Sequence, residues 1–198
     1  MVRKEAGIRK QKYSHREFDP FEDRMSRDIR NTLSDAFVKS LASLNPSLVE
    51  EKARVWLTGN LESFYTDYIR DRQFKYRRVF AQIRQDGIND PLQQVILLWN
   101  EALFFELHDH LEDIWAGESG DRRRALQGLI KAAGVYIHLE YHRRQAAEKL
   151  ARKANELVKR YSHDLAFITN LQDIVDRLGD IDLNPPILEM VPHLDTDG

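Results

Sequence analysis

Apolar residues recur at intervals of three and four along most of the chain, which is the period of one face of an α-helix. Met25, Ile29, Leu33, Phe37, Leu41 and Leu44 trace the first such stripe, and Asp19-Pro20 ahead of it reads as a cap followed by a first-turn proline. Asn45-Pro46 closes that helix and opens a second carrying Val49, Ala53, Trp56 and Leu57, which stops at Thr58-Gly59-Asn60. A third stripe begins with Leu61, Phe64, Tyr65, Tyr68 and Ile69 and resumes with Tyr76, Val79, Phe80 and Ile83. Its register slips near Arg72, which predicts a kink or break there, and Gly87 ends it. Asp90-Pro91 repeats the cap-and-proline signature and opens a central helix that runs to a turn at Gly117–Asp121. A fifth helix carries Leu126, Leu129, Ile130, Ala133 and Ile137. After a joint near His142 a sixth carries Ala146, Leu150, Ala154, Leu157 and Val158. A short last helix over 170–178 is stopped by Gly179, and the end of the chain, with three prolines, reads as extended.

No pair of alternating segments predicts strands. The expected fold is therefore all-α, an antiparallel helical bundle with a four-helix centre at residues 91–161 and an N-terminal helical extension packed on it. The expected divisions are a flexible basic arm at 1–18, an N-terminal helical region at 19–87, a helical core at 88–162, and a short helix with an extended acidic tail at 163–198, all in one compact unit.

Composition removes several classes of function. The 198 residues are 42% hydrophobic and 31% charged, enough for a buried core under a well-solvated surface. Cysteine is absent, which excludes disulfides, thiolate metal sites and cysteine nucleophiles. No apolar run approaches the roughly 20 residues that span a bilayer, and the first residues have no apolar signal core. A cytoplasmic protein without a membrane partner is the expectation. The net charge of −2 conceals segregation. Residues 1–13 carry five basic side chains against Glu5, whereas residues 90–120 carry seven carboxylates and no Lys or Arg. A surface of that kind attracts cations. Arg122-Arg123-Arg124 stand in the first turn of a helix, where the dipole disfavours cations; the triplet reads first as solvated surface, with binding of an anion or acidic partner as the alternative. The basic arm and the cluster Arg70, Arg72, Lys75, Arg77 and Arg78 lack a groove-reading motif, which argues against nucleic acid.

The unusual chemistry lies in the acidic stretch. His108, Glu112 and Trp115 stand at i, i+4 and i+7, so they share a helix face. A histidine and a glutamate one turn apart can hold a divalent metal through nitrogen and oxygen, pass a proton, or simply pair. His138 on the next helix is the natural further ligand if antiparallel packing brings it opposite, and Glu106 stands one turn before His110. His110 and His142 are expected to be exposed. Gly128 inside a helix implies close packing, expected against the preceding helix, with Gln127 placed to reach the His108–Glu112 pair.

From about Leu92 to Tyr161 the chain resembles a bacterial and archaeal family of unknown function, numbered 309. The resemblance rests on Asn100, Ala102, Phe104-Phe105, Glu106-x-His108-Asp109, Glu112, Trp115, Gln127-Gly128-Leu129-Ile130 and His138. Asp109 stands where Glu is frequent, Lys131 where Gln is common, and His142-Arg143 where similar sequences have Gly-Asn. The resemblance implies a small all-helical domain with metal binding suggested for the His-x-x-x-Glu-x-x-Trp motif. Two readings follow. One is a non-catalytic scaffold or protein-interaction module, whose partner is another protein or a second copy of the chain. The other is a divalent-metal protein, with zinc, manganese or nickel on His108, Glu112 and His138 and a hydrolytic use open to it. Glu106, Asp109, Trp115, Gln127 and Gly128 would support either.

Overall fold

The computed structural model describes residues 17–191; the basic arm proper and the last seven residues lie outside that range. Among the described residues there are eight α-helices and one short 3-10 turn, and no strand beyond a single bridge between Ile168 and Met190. The helices are α1 (Arg24–Ser43), α2 (Ser47–Leu57), α3 (Ser63–Asp86), α4 (Pro91–Asn100), α5 (Phe104–Ala116), α6 (Gly120–Glu140), α7 (Arg144–Arg160) and α8 (Leu171–Asp180). No helix is long and apolar enough to cross a membrane.

The fold is an all-α bundle, as the hydrophobic period predicts. Ile29, Leu33, Phe37 and Leu41 of α1 are buried, while Met25 and Leu44 at the ends of that stripe are exposed. Helix α1 starts later than Asp19-Pro20 implies. Residues 19–22 form a turn, with the Asp19 carboxylate accepting from Phe21 N at 2.8 Å, and the cap is Asp23. Its carboxylate accepts from Ser26 N and Ser26 Oγ, both at 2.7 Å. Asp90 caps α4 and Gly87 ends α3 in the left-handed region, both where the sequence places them.

Two expectations about continuity are corrected. Helix α3 runs unbroken through Arg72, because Arg72 is itself a member of the buried face with Ile69, Tyr76, Val79, Phe80 and Ile83. The central segment does break, at Ala102, whose φ of 52° reverses the chain. Ala102 N and Leu103 N close the end of α4 onto Trp99 O and Leu98 O, both at 2.9 Å, which satisfies carbonyls that the helix end would orphan. The break lets Leu98 and Trp99 on one side and Leu103, Phe104 and Leu107 on the other all be buried.

The α6–α7 hairpin forms the thickest contact. Buried Ala132 and Ala133 on α6 and Ala147, Ala151 and Ala154 on α7 keep the facing side chains short. A Cβ on Gly128 would stand 3.1 Å from Leu157 Cβ, Val158 Cγ2 and Val158 N. The glycine therefore admits the following helix and not the preceding one. His142, with φ of 57°, makes the left-handed turn between α6 and α7. Beyond α8 the extended segment is strapped across the bundle. Trp99 Nε1 donates to Pro186 O at 2.8 Å, and Asn100 exchanges two hydrogen bonds with Leu188, at 2.9 and 2.8 Å.

Candidate functional site

Helix α5 carries the motif, and its two sides meet different neighbours. On the side facing α1, His108 Nδ1 lies 3.4 Å from Asp109 Oδ1 and its Nε2 lies 3.8 Å from Glu112 Oε1. One donor atom from each of His108, Asp109 and Glu112 falls within 4.8 Å of the others. Ser34 Oγ of α1 donates to Asp109 Oδ2 at 2.6 Å and so fixes that carboxylate. The His108 ring lies nearly parallel to Phe105, and the Arg30 guanidinium rests 3.8 Å from the Phe105 ring centre. Partial burial pulls the Arg30 pKa down, against the attraction of groups that include Asp109.

The pair is too exposed to hold the bundle together. The Glu112 side chain is 56% exposed, and an ion pair of that kind contributes less than about 1 kcal/mol.

The remaining motif residues have other duties. Glu106 is fully buried and accepts from Tyr76 Oη at 2.6 Å, with Arg72 Nε 3.5 Å from the same oxygen. Arg72 also donates to Glu140 at 3.1 Å, and its guanidinium lies 4.7 Å from the centre of the Tyr68 ring. Burial alone would lower the Arg72 pKa, but Tyr68, Glu106 and Glu140 hold it well above its ordinary value. Burial and the neighbouring Glu106 likewise raise the Tyr76 phenol. This cluster escaped the sequence reading. Its signal was present in the spacing of Ile69, Arg72 and Tyr76, which puts an arginine on an apolar face.

Trp115 lies outside the cluster. Its ring carries the Arg123 guanidinium at 3.6 Å, and Arg123 Nη1 donates to Trp115 O and Glu118 O at 3.2 and 3.0 Å. Arg122 binds Glu118 and Arg124 binds the Tyr161 hydroxyl, at 2.8 and 2.9 Å. Arg122 and Arg123 thus serve the end of α5, where a helix dipole welcomes cations, and the turn beside it, whereas Arg124 reaches the end of α7.

His138 is not brought to His108. It stacks at 5.1 Å on Phe21, its Nδ1 is buried without a partner, and burial followed by Arg143 lowers its pKa. Among the described residues Gln127 is half-buried and makes no side-chain hydrogen bond. His110 is buried, not exposed. Its Nε2 lies 3.2 Å from Pro91 O, and burial lowers its pKa, which keeps the ring neutral near pH 7. His142 is exposed, as expected.

The segment that holds α4, α5, α6 and the start of α7 can be compared with known proteins. Residues 92–150 match a family described as a domain of unknown function, DUF309. No curated protein and no solved structure matches the chain. The DUF309 match contains the whole His108–Asp109–Glu112 cluster, but Ser34, Arg30 and Arg72, which surround the motif, come from helices outside it. The strap bound by Asn100 also lies outside the matched residues.

Proposed function

We propose that the protein is a divalent-cation-binding helical module, with His108, Asp109 and Glu112 as the protein ligands. The observation that carries this reading is the convergence of one nitrogen and two carboxylate donors within 4.8 Å on one face of α5. A mixed nitrogen and oxygen set of this kind suits zinc, manganese or nickel. Three donors on a solvent-facing helix also leave coordination positions for water. Ser34 orients Asp109 as a supporting group beyond a ligand should, and support of that kind raises affinity and fixes geometry. The weakness of the exposed His108–Glu112 contact as a structural pair favours the same conclusion, because the cluster contributes little to folding. Asp109 replaces His138 as the third ligand in this reading.

The second reading, a scaffold without a metal, draws on Glu106. That motif acid is committed to the buried Arg72–Tyr76 network and ties α3 to α5.

Thermal unfolding in chelator and then in zinc, manganese, nickel and magnesium separates the two. A metal that binds only the native state raises the melting temperature with its concentration. The wild type and an exposed control, His163→Ala, should both shift with the preferred transition metal. His108→Ala, Asp109→Asn and Glu112→Gln should lose that shift while melting close to wild type in chelator. An unshifted wild type with every metal rejects the metal reading and leaves the scaffold.

A further inference from the structure

Elsewhere on α5, His110, Asp113 and Ile114 border a cleft of about 560 Å³ between the end of α1, the start of α4 and α5. That volume lies within the range of small-molecule sites, about 300–1,000 Å³. Val38, Leu41 and Ile114 supply apolar wall, and Gln94 and His110 supply polar groups. Both polar residues are more than nine-tenths buried, at 4% and 7% exposure. Yet no hydrogen bond joins the Gln94 amide to another described residue, and its polar atoms are not among those sealed from solvent without a partner, so they are open to the cleft. Buried polar groups are seldom left without a partner, so an unpaired amide on a cleft wall marks a place where a ligand can supply one.

The hydrogen-bonding sense of the site follows from its groups. The Pro91 carbonyl can only accept, so His110 Nε2 carries the hydrogen and Nδ1 of the neutral ring is an acceptor. Nδ1 makes no hydrogen bond among the described residues. Asp113 at the rim adds a carboxylate with no ion-pair partner among them, whereas Lys39 is engaged by Asp35 at 2.7 Å and Asn89 donates to Gly87 O. Acceptors therefore outnumber available donors, and the only uncommitted charge is negative.

We infer that this cleft binds a small organic ligand with an apolar or aromatic body and a non-anionic head rich in N–H donors, such as an amidine, amine or carboxamide. Gln94 Oε1, His110 Nδ1 and Asp113 accept from the head, and Gln94 Nε2 offers the one donor. The assignment uses none of the three proposed metal ligands, His108, Asp109 and Glu112.

Three probes share one ring and differ in the head: benzamidine, benzamide and benzoate. Titrations followed by amide resonances of the full chain in chelator should give saturable shifts around Gln94, His110 and Ile114 with benzamidine, weaker ones with benzamide, and none with benzoate. Gln94→Leu should lower benzamidine affinity by about ten-fold or more, since a hydrogen bond to a charged head is lost. The same variant should melt close to the wild-type temperature, because the amide it replaces makes no hydrogen bond to another described residue and leucine is of similar size. Asp113→Asn, a rim change that leaves the core intact, should erase the preference for benzamidine over benzamide. The inference is overturned by an absence of saturable binding for both N–H probes, by benzoate binding equally well, or by a Gln94→Leu variant that binds as the wild type does.

Discussion

Arg72 Nε lies 3.5 Å from Glu106 Oε1 in the middle of the molecule, with both side chains sealed from solvent. Tyr76 donates to the same carboxylate and Glu140 accepts from the same guanidinium, so α3, α5 and α6 meet at one charged knot. Taking two charges out of water is costly, and the arrangement is tolerable only while each has its partner. Arg72→Met should therefore destabilise the fold by about 3–5 kcal/mol, because Glu106 is left buried and uncompensated. Glu106→Gln should cost less, since it keeps an acceptor for Tyr76 and Arg72 retains Glu140. The double variant Arg72→Met/Glu106→Gln should recover part of the loss. Urea unfolding of the four proteins measures the coupling, and strictly additive losses would contradict it.

Gly128 and Gly134 face α7 in different ways. A Cβ at Gly128 meets the backbone nitrogen of Val158 at 3.1 Å, and a backbone atom cannot step aside without moving its helix. A Cβ at Gly134 would come within 2.6 Å of Leu150 Cδ2, the mobile end of a flexible side chain. Alanine gains about 1 kcal/mol over glycine inside a helix in both places. At Gly128 that gain should be outweighed by an overpacking cost of about 1–3 kcal/mol, so Gly128→Ala melts lower. Gly134→Ala should melt near or above wild type, and the reverse order would show that the α6–α7 contact is not set by Gly128.

Most of the helical punctuation was legible because it is written locally. Asp90-Pro91, Gly87 and the Ile29–Leu41 stripe are readable within a few residues, and each stands where the pattern puts it. The break at Ala102 was hidden because no glycine or proline marks it. Arg72 misled in the opposite direction, since a charged side chain on a buried face looks like a slip of register when its partner is 34 residues away. His108 and Glu112 were legible as neighbours because they stand one helix turn apart, whereas Asp109 read only as a supporting residue beside them. The role of His138 was not legible. His108 lies eight residues from the end of α5 and His138 eighteen from the start of α6. Antiparallel packing therefore leaves them about 15 Å out of step at the α-helical rise.

Asp23 gives the fold a pH dependence at the acid end. Partial burial alone would raise its pKa, but hydrogen bonds from Ser26 N, Ser26 Oγ and the Tyr65 hydroxyl bring it below the usual carboxylate value. A carboxyl whose pKa is depressed in the native state stabilises it above the unfolded pKa, about 3.9 for Asp. That contribution disappears as pH falls from there through the native value. Asp23→Ala should cost about 1 kcal/mol at pH 7. The gap between variant and wild type should begin to close as pH falls below about 4, where the unfolded carboxyl takes up its proton, and go on closing until the native one does so too. Melting temperatures across pH 2.5–7 test this, and a gap that persists unchanged to the lowest pH would assign the loss to packing.

Asn100 belongs to the motif but works on the strap. Its amide donates to Leu188 O and its carbonyl accepts from Leu188 N, and the neighbouring Trp99 indole is tied to Pro186 O. Asn100→Leu removes both side-chain bonds and should loosen residues 186–191, which lie over Trp99. Faster amide exchange at Leu188, with a red shift and stronger quenching of tryptophan emission, is expected while the helical circular dichroism stays unchanged. Leu188 exchanging at the wild-type rate would mean the strap is held by Thr169 and Asn170, whose bonds to Glu189 and Ile187 survive the change.

Arg30 offers a test of the proposed cation site that touches none of its ligands. Its guanidinium stacks on Phe105, whose ring in turn lies against His108, and Asp109 is among the groups that attract it. A fixed positive charge beside a cation site opposes the incoming ion, so its removal should strengthen binding. Methionine keeps much of the arginine stem's volume and can still pack on the Phe105 ring. Arg30→Met should tighten the preferred transition metal by a few-fold and enlarge the thermal shift at a given metal concentration, since about 1 kcal/mol is the scale of such an interaction near a protein surface. The enhancement should shrink at high salt, because screening weakens charge–charge terms between partly exposed groups. Packing damage would instead lower the melting temperature in chelator and leave the metal shift unchanged. Calorimetric titration of both proteins at low and high salt distinguishes these outcomes, and an Arg30→Met variant that binds metal more weakly than wild type would remove the α1-facing side of α5 from the proposed site.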